Sequence, residues 1–152
     1  MINAIDYATF TLGGLHFGIM ATDVLELNKN LDITPVPKGP ATVRGIMNLR
    51  GQLVPAIDMY ERLSIFGTSN HTESISIILQ SEEYLLALLV DDVGEIIALD
   101  ESTFEPPGSN ITFQAKELVL GVHKLKDRLI IILDPASLVN IDDMVKKQSL
   151  KN

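Results

Sequence analysis

Two segments of this chain recur in the same order, about half a chain length apart. Residues 43–58 align with residues 119–134 at a shift of 76 positions, and residues 15–27 align with residues 84–96 at a shift of 69. Two collinear blocks favour a duplicated unit of about four or five strands. A unit that small buries little surface alone, so we expect the two copies to pack against each other. The identical pairs are Val43/Val119, Gly45/Gly121, Leu49/Leu125, Leu53/Leu129, Asp58/Asp134, Asp23/Asp92, Val24/Val93 and Glu26/Glu95.

The local pattern of the chain is mostly that of β-strands. Polar and apolar residues alternate on both sides of Gly13-Gly14, which is typical of a hairpin because both glycines accept a positive φ. A second tight turn is predicted at Arg50-Gly51, and Pro55 requires an edge position or a bulge in the strand that follows. Further strands are predicted at residues 75–79, 85–90, 93–99, 118–124 and 128–133.

Helical segments are predicted to be few and short. Asp58 is a suitable N-cap for one turn over residues 59–63. A longer helix is predicted from Pro135 to about Lys147, with Asp134 as its N-cap and lysines near its end. The polar stretch 66–73 is the best candidate for a linker between the two halves.

Composition limits the classes of protein that this chain can be. Its 152 residues include 12 Lys and Arg against 20 Asp and Glu, and 46% of them are hydrophobic. A sizeable core can be buried, whereas the basic surface that nucleic-acid binding needs is missing. The absence of cysteine excludes disulfides, thiolate zinc sites and cysteine nucleophiles. The first ten residues do not resemble a signal peptide and the longest apolar run is 85–90, so we expect a cytoplasmic protein without membrane insertion.

The negative charge is concentrated in the middle of the chain. Residues 63–115 hold nine acidic side chains and no lysine or arginine. A solvated acidic face explains this most simply, and a surface that attracts a basic partner is the alternative. We expect these acids to lie away from any groove between the two halves.

No set of side chains in the sequence is arranged for catalysis or for metal binding. His16, His71 and His123 are not at metal-ligand spacing from one another, and phosphate-binding glycine loops and nucleophile elbows are absent. Because no acid, base and nucleophile converge, we expect neither an enzyme nor a bound cofactor or metal.

Arg50 is the strongest candidate for a contact with a partner. At the tip of a hairpin its guanidinium projects into solvent, where it can bind a carboxylate or carbonyl groups. An ordinary charged turn residue is the simpler interpretation, since turn tips commonly carry charge. Gly45 and Gly51 are interpreted first as positions that need a permissive backbone.

The segment around Glu26 offers a second candidate contact. Val24 and Leu27 are expected in the core, because apolar residues in a short strand are usually buried. Glu26 lies between them and is expected to face the other side of the strand. We therefore expect Glu26 to be exposed and available to a partner.

Several segments resemble the CheW-like domain family. The opening Phe10-Thr11-Leu12-Gly13-Gly14-x-x-Phe17-Gly18-Ile19 is similar to the start of these domains, as is Val24-x-Glu26. Residues 43–58, which read VRGIMNLRGQLVPAID, resemble the most diagnostic segment of the family. Residues 90–96 and 121–134 resemble its second half, so the similarity covers about residues 8 to 145.

The resemblance implies an all-β fold of two SH3-like five-stranded β-barrels. These pack on a shared hydrophobic core, with short helices that include one at the C-terminus. Residues 1–152 would form a single CheW-like domain with subdomains at about 8–66 and 74–140, between which terminal strands are free to cross over. Residues 141–152 would form the end of the C-terminal helix and a tail.

The resemblance also implies a function without catalysis. Proteins of this family are adaptors in bacterial chemotaxis that bridge the cytoplasmic helical-hairpin tip of chemoreceptors to the regulatory domain of the histidine kinase CheA. In the family the receptor tip lies in a groove between the barrels. Positions matching Val24, Glu26, Gly45, Arg50 and Gly51 are associated with receptor or kinase coupling. Such a chain is expected to be monomeric alone and to assemble in receptor arrays.

Two alternatives stand beside this interpretation. One is an adaptor of the same kind in a kinase pathway other than flagellar chemotaxis, such as gliding or pilus-driven motility. The other is a β-barrel domain that binds a nucleotide-like small molecule, although the sequence offers no phosphate cradle for it.

Overall fold

The chain folds mostly into β-strands, as predicted. The computed structural model describes residues 3–29, 32–37, 39–65, 75–81, 83–108 and 116–138. Within these ranges, two helical segments, α1 (Met59–Leu63) and α2 (Pro135–Leu138, the last described residues), follow the sixth and twelfth strands. The strands are β1 (Ala4–Leu12), β2 (Leu15–Met20), β3 (Val24–Asn28), β4 (Ile33–Thr34), β5 (Val43–Leu49), β6 (Gln52–Asp58), β7 (Ile75–Gln80), β8 (Leu85–Val90), β9 (Asp92–Asp100), β10 (Phe104–Glu105), β11 (Val119–Lys124) and β12 (Leu129–Leu133).

The strands form two sheets with the same arrangement. The first sheet, called sheet I here, has the order β10-β11-β12-β2-β1-β9, and sheet II has the order β4-β5-β6-β8-β7-β3. Every pairing in one sheet has a counterpart in the other, including the parallel pairs β12–β2 and β6–β8. Each sheet has five strands of at least five residues and one of two residues. The all-β class and its pseudo-repeat are therefore confirmed.

The two copies of the repeat exchange strands. Sheet I combines the hairpin β1–β2 of the first copy with β9 to β12 of the second, and sheet II combines β7–β8 with β3 to β6. Each sheet therefore draws strands from both of the expected subdomains, whose bounds of 8–66 and 74–140 stay a prediction. Neither copy can complete a sheet alone, which makes the two halves interdependent.

Each sheet curls until its two edges meet. In sheet I the edge strands β9 and β10 are joined by the single 3-10 turn Glu101–Thr103, so they must lie close together. The apolar side chains accordingly form three clusters. The largest contains residues of both sheets, such as Phe17 and Leu88, and the two smaller ones fill the inside of each curled sheet. Two small barrels on a shared core result, as the resemblance implied.

Local details of the two copies also match. The ladder is irregular between Val43 and Gly45 in β5 and between Val119 and Gly121 in β11. Asp58 accepts the backbone N–H of Tyr60 at 3.0 Å, and Asp134 accepts that of Ala136 at 3.2 Å. These carboxylates cap α1 and α2, as predicted.

The predicted tight turns are confirmed, and one prediction about strand position is wrong. Gly13 and Gly14 have φ of 57° and 79°, and Arg50 and Gly51 join β5 to β6. Pro55 was expected at a sheet edge or at a bulge in its strand, but β6 lies between β5 and β8, and the irregularity of the β5–β6 ladder falls at Val43–Gly45 in β5. The pairing of β6 with β8 begins at Ala56, so β5 is the only strand paired with β6 at Pro55. The backbone N–H that proline lacks is therefore not required by the β6–β8 pairing. The predicted linker 66–73 and the helix beyond residue 138 lie outside the described residues.

His123 makes the inside of the sheet I barrel sensitive to pH. Its Nδ1 lies 2.7 Å from the Thr103 hydroxyl, and burial lowers the pKa of His123 below its usual value of 6.5. Because the pKa of His123 is lower in the folded protein than in the unfolded chain, its contribution to stability is fully present above the unfolded pKa. This contribution is lost as the pH falls below 6.5, because the unfolded chain takes up the proton first.

A substitution that copies the other barrel tests this pH dependence. Met47 occupies in sheet II the position that His123 has in sheet I, at the shift of 76. We expect His123→Met to lose less unfolding free energy than wild type between about pH 7.5 and about pH 5.5, as measured by urea denaturation. Equal losses in the two proteins would contradict this.

Candidate partner-binding groove

An apolar groove lies between the edge strands of the two sheets. It holds a cavity of about 230 Å³ whose walls come from β3 and β9, with further contributions from β1 and β7. The walls are built from positions that the repeat makes equivalent, at the shift of 69. The local two-fold axis of the duplication therefore passes through the groove. The equivalent lining pairs are Val24/Val93, Leu25/Gly94, Leu27/Ile96 and Ala8/Ile77.

The groove exposes large apolar side chains to solvent. Leu27 is 51% exposed and Ile96 is 67% exposed, and Leu25 beside them is exposed as well. The expectation that Leu27 belongs to the core is wrong, because β3 is an edge strand and its outer side meets the groove. Adjacent exposed apolar residues of this size are typical of interaction sites. Val24 is partly buried and joins the groove wall to the shared core.

The turn at Arg50-Gly51 has an unusual residue in its first position. Both φ values are positive, 51° for Arg50 and 87° for Gly51, which defines a turn that strongly favours Asn-Gly. Asn48 Oδ1 accepts the Gly51 N–H at 2.9 Å and closes the turn. An arginine in the left-handed region is unfavourable for the fold, so local backbone preference does not explain its presence in this turn.

Arg50 and Glu26 meet although three strands separate β3 from β5 in sheet II. The Arg50 guanidinium donates a hydrogen bond to Glu26 Oε2 and forms an ion pair with it. The Arg50 side chain is 70% exposed, whereas that of Glu26 is 23% exposed. Contact between a hairpin tip and an edge strand is a consequence of the curling of the sheet. Glu26 does not line the groove, and it is partly buried beneath the arginine instead of exposed as expected.

Gly45 is buried in the middle of β5, beneath β4. A Cβ atom there would lie 2.3 Å from the Thr34 carbonyl oxygen, and one at Gly121 would lie 2.3 Å from the Phe104 ring. The missing side chain lets β4 lie close to the backbone at Gly45, and β10 close to the backbone at Gly121. The structure thus brings Val24 to the groove wall, and Glu26, Arg50 and Gly51 to one neighbouring cluster, while Gly45 lies below the surface.

The acidic residues of the middle segment avoid the groove cavity. None of those that the structure describes within residues 63–115 lines it, and Glu73 and Glu82 lie outside the described part. Within the described ranges, no group of three His, Asp or Glu side chains is placed to hold a metal ion. No helix among them is long and apolar enough to span a membrane.

Sequence reasoning missed the second wall of the groove. Ile96 was assigned only to a strand, although the repeat aligns it with Leu27 and Gly94 with Leu25. Apolar alternation alone does not distinguish a core position from a groove position. The alignment of the two copies was the available signal, because equivalent residues meet where the copies face each other.

Comparison with known proteins agrees with this architecture. A family model described as CheW-like domain matches residues 6–143. Similar curated proteins include chemotaxis protein CheW of Klebsiella aerogenes, 27% identical over 91% of this chain and 84% of that protein. The CheW of Thermotoga maritima is 31% identical over 79% of this chain and 74% of that protein.

A solved structure shows the same fold over almost the whole chain. Scaffolding protein TtCheW from Thermoanaerobacter tengcongensis superposes with a TM-score of 0.82 and 33% identity, covering 90% of this chain and 93% of that one. The family model spans far more than half of the sequence, and the fold agrees with it independently. This chain is therefore a member of the CheW-like domain family.

Proposed function

We propose that this chain is a non-enzymatic adaptor that couples chemoreceptor signalling tips to the regulatory domain of the histidine kinase CheA. It acts in the cytoplasm, where both partners present these surfaces. The observation that carries the proposal is the apolar groove on the two-fold axis between the sheets, next to an exposed arginine. Membership of the CheW-like family and the scaffold role of the similar solved protein support it.

The groove has the chemistry of a helix-binding site. Leu25, Leu27 and Ile96 expose apolar surface on both walls. An amphipathic helix lays its apolar face into such a groove and anchors side chains at helical spacing. A helical hairpin presents two antiparallel helices related by an approximate two-fold axis, which matches the symmetry of the walls. The receptor tip is therefore the partner that we assign to the groove.

The Arg50–Glu26 cluster provides a polar contact beside this apolar surface. Arg50 lies at a hairpin tip with most of its guanidinium in solvent, so it can bind a partner carboxylate while keeping its ion pair with Glu26. Polar groups around an apolar centre fix the orientation of a partner. We assign Val24 to the apolar contact in the groove. We assign Glu26, Arg50 and Gly51 to the polar contact that orients the partner. Gly45 contributes by shaping β5.

A binding assay with both partners tests the proposal. Purified chain is mixed with the regulatory domain of the kinase and with a receptor-tip fragment, separately and together, and complexes are captured on either partner. We expect wild type to be retained by both and Arg50→Glu to lose retention by at least one of them. Failure of wild type to bind either partner would contradict the assignment.

Leu27→Glu is expected to weaken receptor-tip binding about a hundredfold. It places a charge in the apolar centre of the groove, where interface substitutions have their largest effects. Isothermal titration with the receptor-tip fragment measures the change. Leu120→Glu is the matched control, since Leu120 is also an exposed strand leucine but lies outside the groove. Equal affinities for the two variants would show that the groove is not the receptor site.

Arg50→Asn distinguishes the effect of this residue on stability from its effect on partner binding. Asparagine relieves the left-handed strain of Arg50 and removes an exposed ion pair, so we expect stability within about 0.5 kcal/mol of wild type or higher. Partner affinity is expected to fall about tenfold, because the guanidinium is lost. Urea denaturation and titration of each partner measure the two effects. Reduced stability with unchanged affinity would contradict the assignment of Arg50.

A further inference from the structure

One end of the sheet I barrel opens into a second, larger cavity. Its volume is about 400 Å³, and it lies apart from the groove cavity, with which it shares no lining residue. Buried Tyr7 and His123 lie at the bottom, whereas Met20, Phe104 and Leu120 around it are exposed. Pockets of this size at the mouths of β-barrels, with apolar walls and few polar groups, are typical ligand sites.

The equivalent position in the sheet II barrel carries different side chains. At the shift of 76, Leu120 corresponds to Arg44 and Asp134 to Asp58. Arg44 Nη2 donates to Asp58 Oδ2 at 3.0 Å, and both side chains are largely buried. The first copy therefore has an ion pair at this position, while the second presents an exposed leucine. Because the backbones are equivalent, this difference belongs to the side chains.

The polar groups of the cavity favour a positive charge. Glu101 lines it, and burial, with a smaller contribution from the negative charge of Glu101, raises the pKa of Tyr7. No lysine or arginine is among the lining residues that the structure describes. An anionic ligand would meet Glu101 without a compensating charge, and the chain as a whole carries a net charge of −8.

Aromatic rings add a second preference for a cation. The His123 ring centroid lies 5.5 Å from that of Tyr7 and 5.3 Å from that of Phe104. Faces of such rings attract ammonium groups within about 6 Å of their centroids. The His123 Nδ1 is engaged by the Thr103 hydroxyl, which holds the 3-10 turn carrying Glu101 beside the rings.

We propose that this cavity binds a small organic ammonium ion with an apolar body. The ammonium group lies between Glu101 and the rings of Tyr7 and Phe104, and the apolar body contacts Met20 and Leu120. Neither the groove nor the Arg50–Glu26 cluster takes part. The site is therefore independent of the adaptor function and can be tested without any protein partner.

Titration with two amines and a matched acid tests the proposal. The probes are phenethylamine and n-hexylamine, with 3-phenylpropanoate as the anionic counterpart of phenethylamine, and the readout is the methyl NMR signals of Met20 and Leu120. We expect saturable shifts with both amines and none with the acid at equal concentration. Absence of saturable shifts with the amines, or equal binding of the acid, would overturn the proposal.

Two variants locate the site. Glu101→Gln is expected to weaken amine binding at least about tenfold, since it removes the only carboxylate among the described lining residues. Leu120→Arg introduces the residue that the first copy has at the equivalent position, Arg44, and the new guanidinium can pair with Asp134. This variant is expected to abolish binding. Leu53→Arg changes an exposed leucine elsewhere and is expected to bind like wild type. Thermal melting confirms that each variant is folded. Undiminished binding by folded Leu120→Arg would overturn the proposal.

Discussion

Arg62→Ala is expected to lower the free energy of unfolding by about 3–5 kcal/mol. Arg62 is only 1% exposed and is the largest fully buried side chain among the described residues. Its Nη2 donates to the Ser137 carbonyl at 2.7 Å and its Nε to the Leu138 carbonyl at 3.4 Å. The substitution removes packed volume and leaves carbonyl groups of α2 without these donors.

The position of Arg62 explains why this effect should be global. Leu138 is its equivalent at the shift of 76, so α1 and α2 meet at matching positions on the two-fold axis. The side chain thus joins the two copies directly. Urea denaturation measures the loss, and Arg62→Met is expected to lose less than Arg62→Ala because it keeps most of the packing.

An exposed cation provides the control for Arg62. Lys124 pairs with Glu105 at 3.1 Å, and more than half of each side chain is exposed. Lys124→Ala is therefore expected to change stability by less than about 1 kcal/mol. A loss below about 1 kcal/mol for Arg62→Ala would contradict the role of Arg62 in joining α1 to α2.

Gly45→Ala is expected to lower the free energy of unfolding by about 2–3 kcal/mol. The new Cβ would lie 2.3 Å from the Thr34 carbonyl oxygen and 2.6 Å from Ile33 Cγ2, so β4 must shift. Backbone cannot move aside as easily as the end of a flexible side chain. Urea denaturation measures the loss, and any weakening of partner binding is expected to follow from the displaced β4.

The repeat provides matched controls for Gly45. Gly121→Ala is expected to have an effect of similar size, since it meets Phe104 and the Glu105 carbonyl in the equivalent place. Gly51→Ala meets no atom within 4 Å and is expected to lose only about 1 kcal/mol, from the positive φ. If Gly45→Ala kept wild-type stability but lost partner binding, Gly45 would be a contact residue instead.

Local features of the fold could be predicted from the sequence, because their causes are local. Gly13-Gly14 and Arg50-Gly51 turn where they were expected, and Asp58 caps α1. The resemblance allowed for terminal strands that cross over, but which strands the two copies exchange could not be predicted, since partner choice depends on contacts far apart in sequence. The two-residue strands β4 and β10 are likewise too short to leave a periodic pattern.

The candidate site was predictable only in part, because some of its features are local in sequence and others depend on tertiary packing. Arg50 and Glu26 were selected from a turn and a strand alternation, but their ion pair depends on the curling of sheet II. Leu27 was expected in the core because its apolar character does not reveal an edge strand. Arg62 was overlooked, since a charged residue in a short helix is usually exposed. These differences all arise from tertiary packing.

NMR titration can locate the receptor tip on this chain and so show whether the groove is its binding site. Isotope-labelled chain is titrated with an unlabelled receptor-tip hairpin while the methyl NMR signals of both sheets are followed. We expect the largest changes at Val24, Leu25, Leu27 and Ile96, on both walls of the groove. Changes confined to other surfaces, with these four signals unaffected at saturation, would contradict this expectation.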